Sequence, residues 1–181
     1  MLKAFNIPNT LTTIRILLIP VFVTSVVYRR YDYALYVFVF AAATDGLDGL
    51  FARHCGQKTR LGTFLDPVAD KFTLVTSFIL FSYYGWIPKW LTITVISRDI
   101  IVVTGWVLLY FVTHASAVEP SLAGKLAIML QFILLSYVLV WLNFDFVPSL
   151  HGVLVWGTGL VTAVSGLQYI YRGLRLTGER R

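Results

Sequence analysis

The chain has 181 residues, 57% hydrophobic and 13% charged, with a formal net charge of +6 and a mean hydropathy of +0.75. Soluble domains carry roughly 45–50% apolar and about 25% charged residues, so this composition excludes an ordinary soluble protein and points to a chain that folds in lipid. The basic excess sits near the ends of apolar runs, with no stripe of exposed aromatics beside it, which argues against a nucleic-acid partner; the single cysteine, Cys55, excludes an internal disulfide.

At about 20 residues per span, the length accommodates six transmembrane helices. Six apolar stretches run from Leu11 to Tyr28, Tyr33 to Phe51, Asp66 to Tyr84, Pro88 to Val112, Leu122 to Trp141 and Leu150 to Tyr171. The joints between them carry turn and breaker residues: Arg29-Arg30-Tyr31-Asp32, Gly56 to Gly62, Gly85-Trp86-Ile87-Pro88, Glu119-Pro120 and Val147-Pro148-Ser149. No long linker, low-complexity tract or repeat interrupts the pattern. The expected fold is a single all-α integral membrane domain over residues 1–181. Ahead of the first stretch, Phe5, Ile7 and Leu11 alternate with Asn6, Asn9 and Thr10, the pattern of a short interfacial helix. No small-residue cleavage site follows the first stretch, so it is expected to stay as a helix rather than act as a signal peptide.

Orientation follows from the lysines and arginines flanking the spans. With the N-terminus in the cytoplasm, Lys3, Arg15, Arg53, Lys58, Arg60, Lys71, Lys125, Arg172, Arg175, Arg180 and Arg181 fall on or near that side. The other side receives Arg29, Arg30 and Lys89. Both termini are therefore expected to be cytoplasmic, and Trp86, Trp90, Tyr83, Tyr84, Trp141 and Phe146 fall mostly where an outer aromatic belt would lie.

Carboxylates beside apolar runs mark function in membrane proteins, and four of them share one window: Asp45, Asp48, Asp66 and Asp70. Asp45 and Asp48 are three apart and Asp66 and Asp70 four apart, so on helices each pair faces one direction from adjacent turns. An antiparallel pairing of the two helices would bring the faces together, where the acids repel unless hard cations neutralise them. Mg²⁺ and similar ions take oxygen ligands and keep positions for substrate phosphates. Two such ions would suit phosphoryl displacement. Gly46, Gly49 and Ala52 keep the helix surface open for a nucleotide, and Arg53 is placed to meet a diphosphate or one of the acids. Close helix packing for the glycines, and membrane anchoring for Arg53, are the simpler alternatives.

The whole pattern, D-x-x-D-G-x-x-A-R, eight residues, then G-x-x-x-D-x-x-x-D, resembles the signature of the CDP-alcohol phosphatidyltransferases. Asp45, Asp48, Gly49, Ala52, Arg53, Gly62, Asp66 and Asp70 match it without a mismatch. The opening N-I-P-N-T-L-T-T-I-R is similar to that of the bacterial phosphatidylglycerophosphate synthases in that family. The resemblance implies that Asp45, Asp48, Asp66 and Asp70 hold two divalent ions, Mg²⁺ or Mn²⁺, with Asp70 also the general base. It implies that Asp45, Asp48, Gly49, Ala52, Arg53 and Gly62 bind the nucleotide. The implied reaction transfers a phosphatidyl group from CDP-diacylglycerol to an alcohol with release of CMP, in a homodimer of the bacterial cytoplasmic membrane whose site faces the cytoplasm.

The acceptor is read from other residues. Arg98 and Asp99 interrupt an apolar span, and Lys125 opens the next, with Gln131 two turns further in. An intramembrane arginine faces a cavity or a partner. Arg98 and Lys125 are therefore expected around an anionic acceptor, the alternative for Arg98 being a local pair with Asp99. Arg172 and Arg175 are explained equally well as anchors. Glycerol 3-phosphate is the expected acceptor. The chain nonetheless departs from the phosphatidylglycerophosphate synthases at Leu126, Ala127 and Ile128, where those enzymes usually carry another lysine and a threonine. Its S-R-D segment also looks like that of the cardiolipin synthases of the same superfamily, which use phosphatidylglycerol. His54, His114 and His151 have no metal-ligand spacing, and Gly152, Gly157, Gly159 and Gly166 read as close-packing positions. An ion-coupled transporter is the competing class, but its polar groups would be expected in both halves of the chain.

Overall fold

The computed structural model describes the backbone of residues 7–55, 60–113, 121–144 and 150–178, and the side chains of 13–44, 69, 71–105, 121–144 and 150–173. Every element among the described residues is a helix: α1 (Ile7–Val27), α2 (Tyr31–Cys55), α3 (Arg60–Tyr83), α4 (Lys89–Thr113), α5 (Leu122–Asn143) and α6 (His151–Gly178). Each expected stretch falls on one of them. Two, Leu122–Asn143 and His151–Gly173, are long and apolar enough among the described residues to cross a membrane.

Five of the six helices are longer than the apolar stretches they carry, and α4 has the same length shifted by one residue. Helix α1 begins at Ile7, so the second half of the expected interfacial segment continues into the first helix; residues 1–6 lie outside the described residues. Helix α2 runs to Cys55, past Arg53. Helix α3 starts at Arg60, which corrects the reading of Gly62 as part of a joint. Helix α6 spans 28 residues, about 42 Å at 1.5 Å per residue, and so carries Arg172 and Arg175 beyond its apolar part. Apolar runs mark what lipid or core covers, whereas backbone hydrogen bonding needs no such cover and continues through polar turns.

Contacts divide the chain into two compact units, residues 1–80 with 138–147, and residues 81–137 with 148–181. In the first, α1 packs along α2, with Phe22, Val26, Ala34, Phe38 and Ala41 buried between them and the Phe22 and Phe38 rings 6.0 Å apart. Arg29 adopts φ 58°, donating its N–H to Val26 O while Arg30 donates to Ser25 O. This is a Schellman cap with arginine where glycine is usual. The Asn143 amide donates to Tyr31 O at 3.0 Å, tying the end of α5 to the start of α2.

In the second unit α4 packs on α6. Gly85, at φ 78°, closes α3 with Gly85 N–H to Ser82 O and Trp86 N–H to Phe81 O, the same cap with the expected residue. Helix α6 is inverted relative to a soluble helix. Its buried face is Val155, Thr158, Gly159, Thr162, Ser165 and Gly166, and its exposed face includes Val153, Trp156, Leu160, Val164, Leu167 and Tyr171. Large apolar side chains outward with small and polar ones inward is what lipid solvent selects. Within the helices the hydroxyls of Thr24, Thr44, Thr73, Ser77 and Ser136 donate to carbonyls one turn back, satisfying polar groups internally as lipid requires.

The glycines of α6 divide. A Cβ on Gly159 would stand 2.6 Å from the Trp90 ring, and one on Gly166 would be in ordinary contact with Arg98 at 3.5 Å, so both receive a neighbouring side chain. Gly152 and Gly157 would meet nothing within 4 Å among the described residues, which corrects their reading as packing positions in this chain's own fold.

Candidate active site

The backbone places the acidic window on two helices, Asp45 and Asp48 near the end of α2 and Asp66 and Asp70 in the first half of α3. The spacing of each pair is therefore realised on helical backbone, where residues three or four apart share a face. Gly49, Ala52 and Arg53 continue α2, and Gly62 lies in the first turn of α3. The side chains of all eight lie outside the described residues.

What borders them is described. A small apolar notch is lined by Arg15, Leu18, Ile19 and Phe22 of α1, Val37, Phe38 and Ala41 of α2, and Thr73 of α3. It puts α3 beside α2 at this level. Asp45 lies one helical turn past Ala41, and Asp70 one turn before Thr73, so both acids are reached in the first turn of backbone beyond the notch. Arg15, expected only as a topology signal, is 2% exposed here. It lines the notch together with Ala41 and Thr73. The signal available in sequence was its place inside an apolar run rather than at its edge.

Arg98 on α4 is 5% exposed. Its Nη1 donates to Asp99 Oδ1 at 2.9 Å, and Nε and Nη2 both donate to Ser165 Oγ, at 3.3 and 3.1 Å. The Tyr169 ring lies 5.6 Å from the guanidinium carbon, within cation–π range. The local pair with Asp99 is thus formed. The guanidinium also lies against the first turn of α5, since a Cβ on Gly124 would be 3.0 Å from Nη2. Ser121 caps that helix, its Oγ accepting the Gly124 N–H at 3.0 Å. A helix N-terminus carries partial positive charge. Arginine beside it makes a locally positive site, for which Asp99 is one counter-charge.

Five N–H groups are available on an arginine. Among the described residues Asp99 and Ser165 accept three of them, leaving one on Nη1 and one on Nη2. Lys125, the other expected acceptor residue, follows Gly124 directly and is exposed. Gln131 is fully buried, donating its amide to Thr162 Oγ1 at 3.2 Å. Arg172 is exposed, and the Arg175 side chain lies outside the described residues. Sequence reasoning missed Ser165, Gly124 and Tyr169: an isolated serine, glycine or tyrosine in an apolar run carries no spacing that singles it out.

Comparison with known proteins agrees with the family that the acidic signature resembles. A model of the CDP-alcohol phosphatidyltransferase family matches residues 5–164. The chain is 31% identical to a probable phosphatidylglycerophosphate synthase of Mycobacterium tuberculosis, over 97% of this chain and 85% of that one. It is 35% identical to a CDP-diacylglycerol–glycerol-3-phosphate 3-phosphatidyltransferase of Pectobacterium atrosepticum, over 92% and 93%. A protein of the same name from Yersinia pestis is 40% identical over 70% and 72%. With the acidic signature on helical backbone and matches of this extent, the chain belongs to the CDP-alcohol phosphatidyltransferase family, transferases of phospholipid biosynthesis.

Proposed function

We propose that the chain transfers a phosphatidyl group from CDP-diacylglycerol to glycerol 3-phosphate, forming phosphatidylglycerophosphate and CMP. The observation that carries the acceptor is the likeness to a CDP-diacylglycerol–glycerol-3-phosphate 3-phosphatidyltransferase over nearly the whole of both chains. The locally positive cluster at Arg98 supports it, because a phosphomonoester is the kind of anion that an arginine fork and a helix N-terminus favour. As a single domain it would cross the bacterial cytoplasmic membrane six times, with both termini and the site on the cytoplasmic side. The lysine and arginine bias and the two apolar helices support that arrangement. Assembly as a homodimer is implied by the family resemblance.

Carboxylate oxygens at helical spacing on α2 and α3 suit hard divalent cations. Asp45, Asp48, Asp66 and Asp70 would hold two, Mg²⁺ or Mn²⁺. Bound there, the ions would neutralise the donor diphosphate and the departing CMP. Gly49, Ala52 and Gly62 leave room for the nucleotide, and Arg53 pairs with it. The acceptor oxygen bonds to the lipid-side phosphorus as the bond from that phosphorus to the bridging oxygen breaks. The hydroxyl proton passes to the Asp70 carboxylate, and CMP leaves with the bridging oxygen. Arg98 and Lys125 hold the acceptor phosphate.

The test is to give purified protein CDP-diacylglycerol with glycerol 3-phosphate, phosphatidylglycerol, serine or inositol phosphate and to identify the lipid product. Phosphatidylglycerophosphate is the expected product. Turnover with phosphatidylglycerol alone would make the chain a cardiolipin synthase, and the absence of CMP release with every acceptor would favour a transporter.

A further inference from the structure

The Arg98 guanidinium is held from three helices, and the residues that hold it have no assigned role in the reaction. Ser165 on α6 accepts from Nε and Nη2, the two nitrogens along one edge of the group. Asp99 takes one hydrogen of Nη1. Gly124 on α5 leaves the space that Nη2 occupies, since a Cβ there would stand 3.0 Å from Nη2, 3.2 Å from Ser121 Oγ and 3.6 Å from Ser165 Oγ. Gly166 leaves the space beside the stem, with a Cβ there 3.5 Å from Arg98 Cγ. The side chain is thereby fixed along its length, and the two N–H groups left over sit on the two terminal nitrogens.

We propose that Ser165 and Gly124 are positioning residues for the acceptor. They orient the Arg98 guanidinium so that its remaining Nη1 and Nη2 hydrogens are presented to the phosphate of the incoming alcohol. This rests on the reading of Arg98 as acceptor-binding. A serine hydroxyl donates once and accepts through two lone pairs, and here it accepts from both nitrogens of one edge, which stops rotation of the planar group about its last bonds. An arginine so fixed binds a phosphate without first losing rotamer freedom, and that preorganisation appears as affinity. Asp99 alone would not do this, since a contact at one nitrogen leaves the plane free to turn about it.

The experiment is two-substrate steady-state kinetics on the full-length protein in lipid, with thermal unfolding measured on the same samples. Ser165→Ala is expected to raise KM for glycerol 3-phosphate about 10-fold, leaving KM for CDP-diacylglycerol and kcat within about twofold. Ser165→Thr, which keeps the hydroxyl, is expected to restore the wild-type KM. Gly124→Ala approaches the guanidinium from the other helix and is expected to raise the same KM. Equal effects on both KM values, failure of Ser165→Thr to differ from Ser165→Ala, or lost thermal stability with unchanged kinetics would overturn the positioning role. Arg98→Ala separates the two layers of the claim. If it leaves KM for glycerol 3-phosphate unchanged, the acceptor reading fails. If it raises that KM and Ser165→Ala does not, only the positioning role fails.

Discussion

The acidic window and the Arg98 cluster meet the cost of charge in an apolar chain in opposite ways. The window collects four carboxylates of one sign on two helices, and under the proposed function cations from outside would neutralise them. The Arg98 cluster is almost complete in itself: an arginine, a neighbouring carboxylate at 2.9 Å, a serine and a fitted glycine, with two N–H groups left over among the described residues. The first site is defined by what it lacks and the second by what remains after its own bonds are made. A site of the first kind announces itself by residue type and spacing. One of the second kind becomes visible only when helices distant in sequence are packed together.

The sharpest way to break that contrast is to remove one carboxylate. Asp70→Asn is expected to lower turnover by at least about 10³-fold, within the range a general base supplies, while the protein still folds and binds CDP-diacylglycerol. Near-normal turnover would remove Asp70 from the base role. Chelation of divalent ions should abolish CMP release, and Mg²⁺ or Mn²⁺ should restore it; activity persisting in chelator would break the account of the window. On the other side, Arg98→Ala removes the guanidinium that pairs with the Asp99 carboxylate at 2.9 Å, a carboxylate that is 11% exposed. Stripping one member from a buried pair costs about 3–5 kcal/mol, so this variant should melt earlier than the double variant Arg98→Ala with Asp99→Asn. Equal melting of the two would mean that the pair contributes no buried ion-pair energy to the fold.

Smaller effects test the packing that holds the cluster. Gly159→Ala pushes a methyl into the Trp90 ring and is expected to cost about 1–3 kcal/mol of stability. Gly157→Ala meets nothing within 4 Å and should be neutral or stabilising by about 0.5–1 kcal/mol, as alanine is favoured over glycine in helices. Comparable melting of the two variants would contradict the division among the α6 glycines. The smallest effect is expected at Arg29→Gly, which relieves a left-handed backbone at the cap of α1 and should raise the melting temperature slightly.

These differences explain what the sequence made legible. Six apolar stretches identified six helices because lipid solvent writes composition plainly, and the acidic signature identified the family because carboxylates are scarce in such a chain. Several helix ends lie beyond the apolar stretches because polar turns continue the backbone ladder; Gly62 falls on α3 and Arg172 beyond the apolar part of α6 for that reason. Arg98 was singled out as an intramembrane charge, yet its orientation depends on Ser165, 67 positions away, and on the absence of a side chain at Gly124. No local pattern encodes either. Arg15 was read as a boundary marker because a lone arginine in a first span looks the same whether it caps the span or is buried within it.

The division of labour between the two regions is tested most directly by comparing substrate KM values in Arg53→Ala and Arg98→Ala. Arg53→Ala is expected to raise KM for CDP-diacylglycerol alone, and Arg98→Ala to raise KM for glycerol 3-phosphate alone. A rise in the CDP-diacylglycerol KM on loss of Arg98, with the acceptor KM unmoved, would contradict that division.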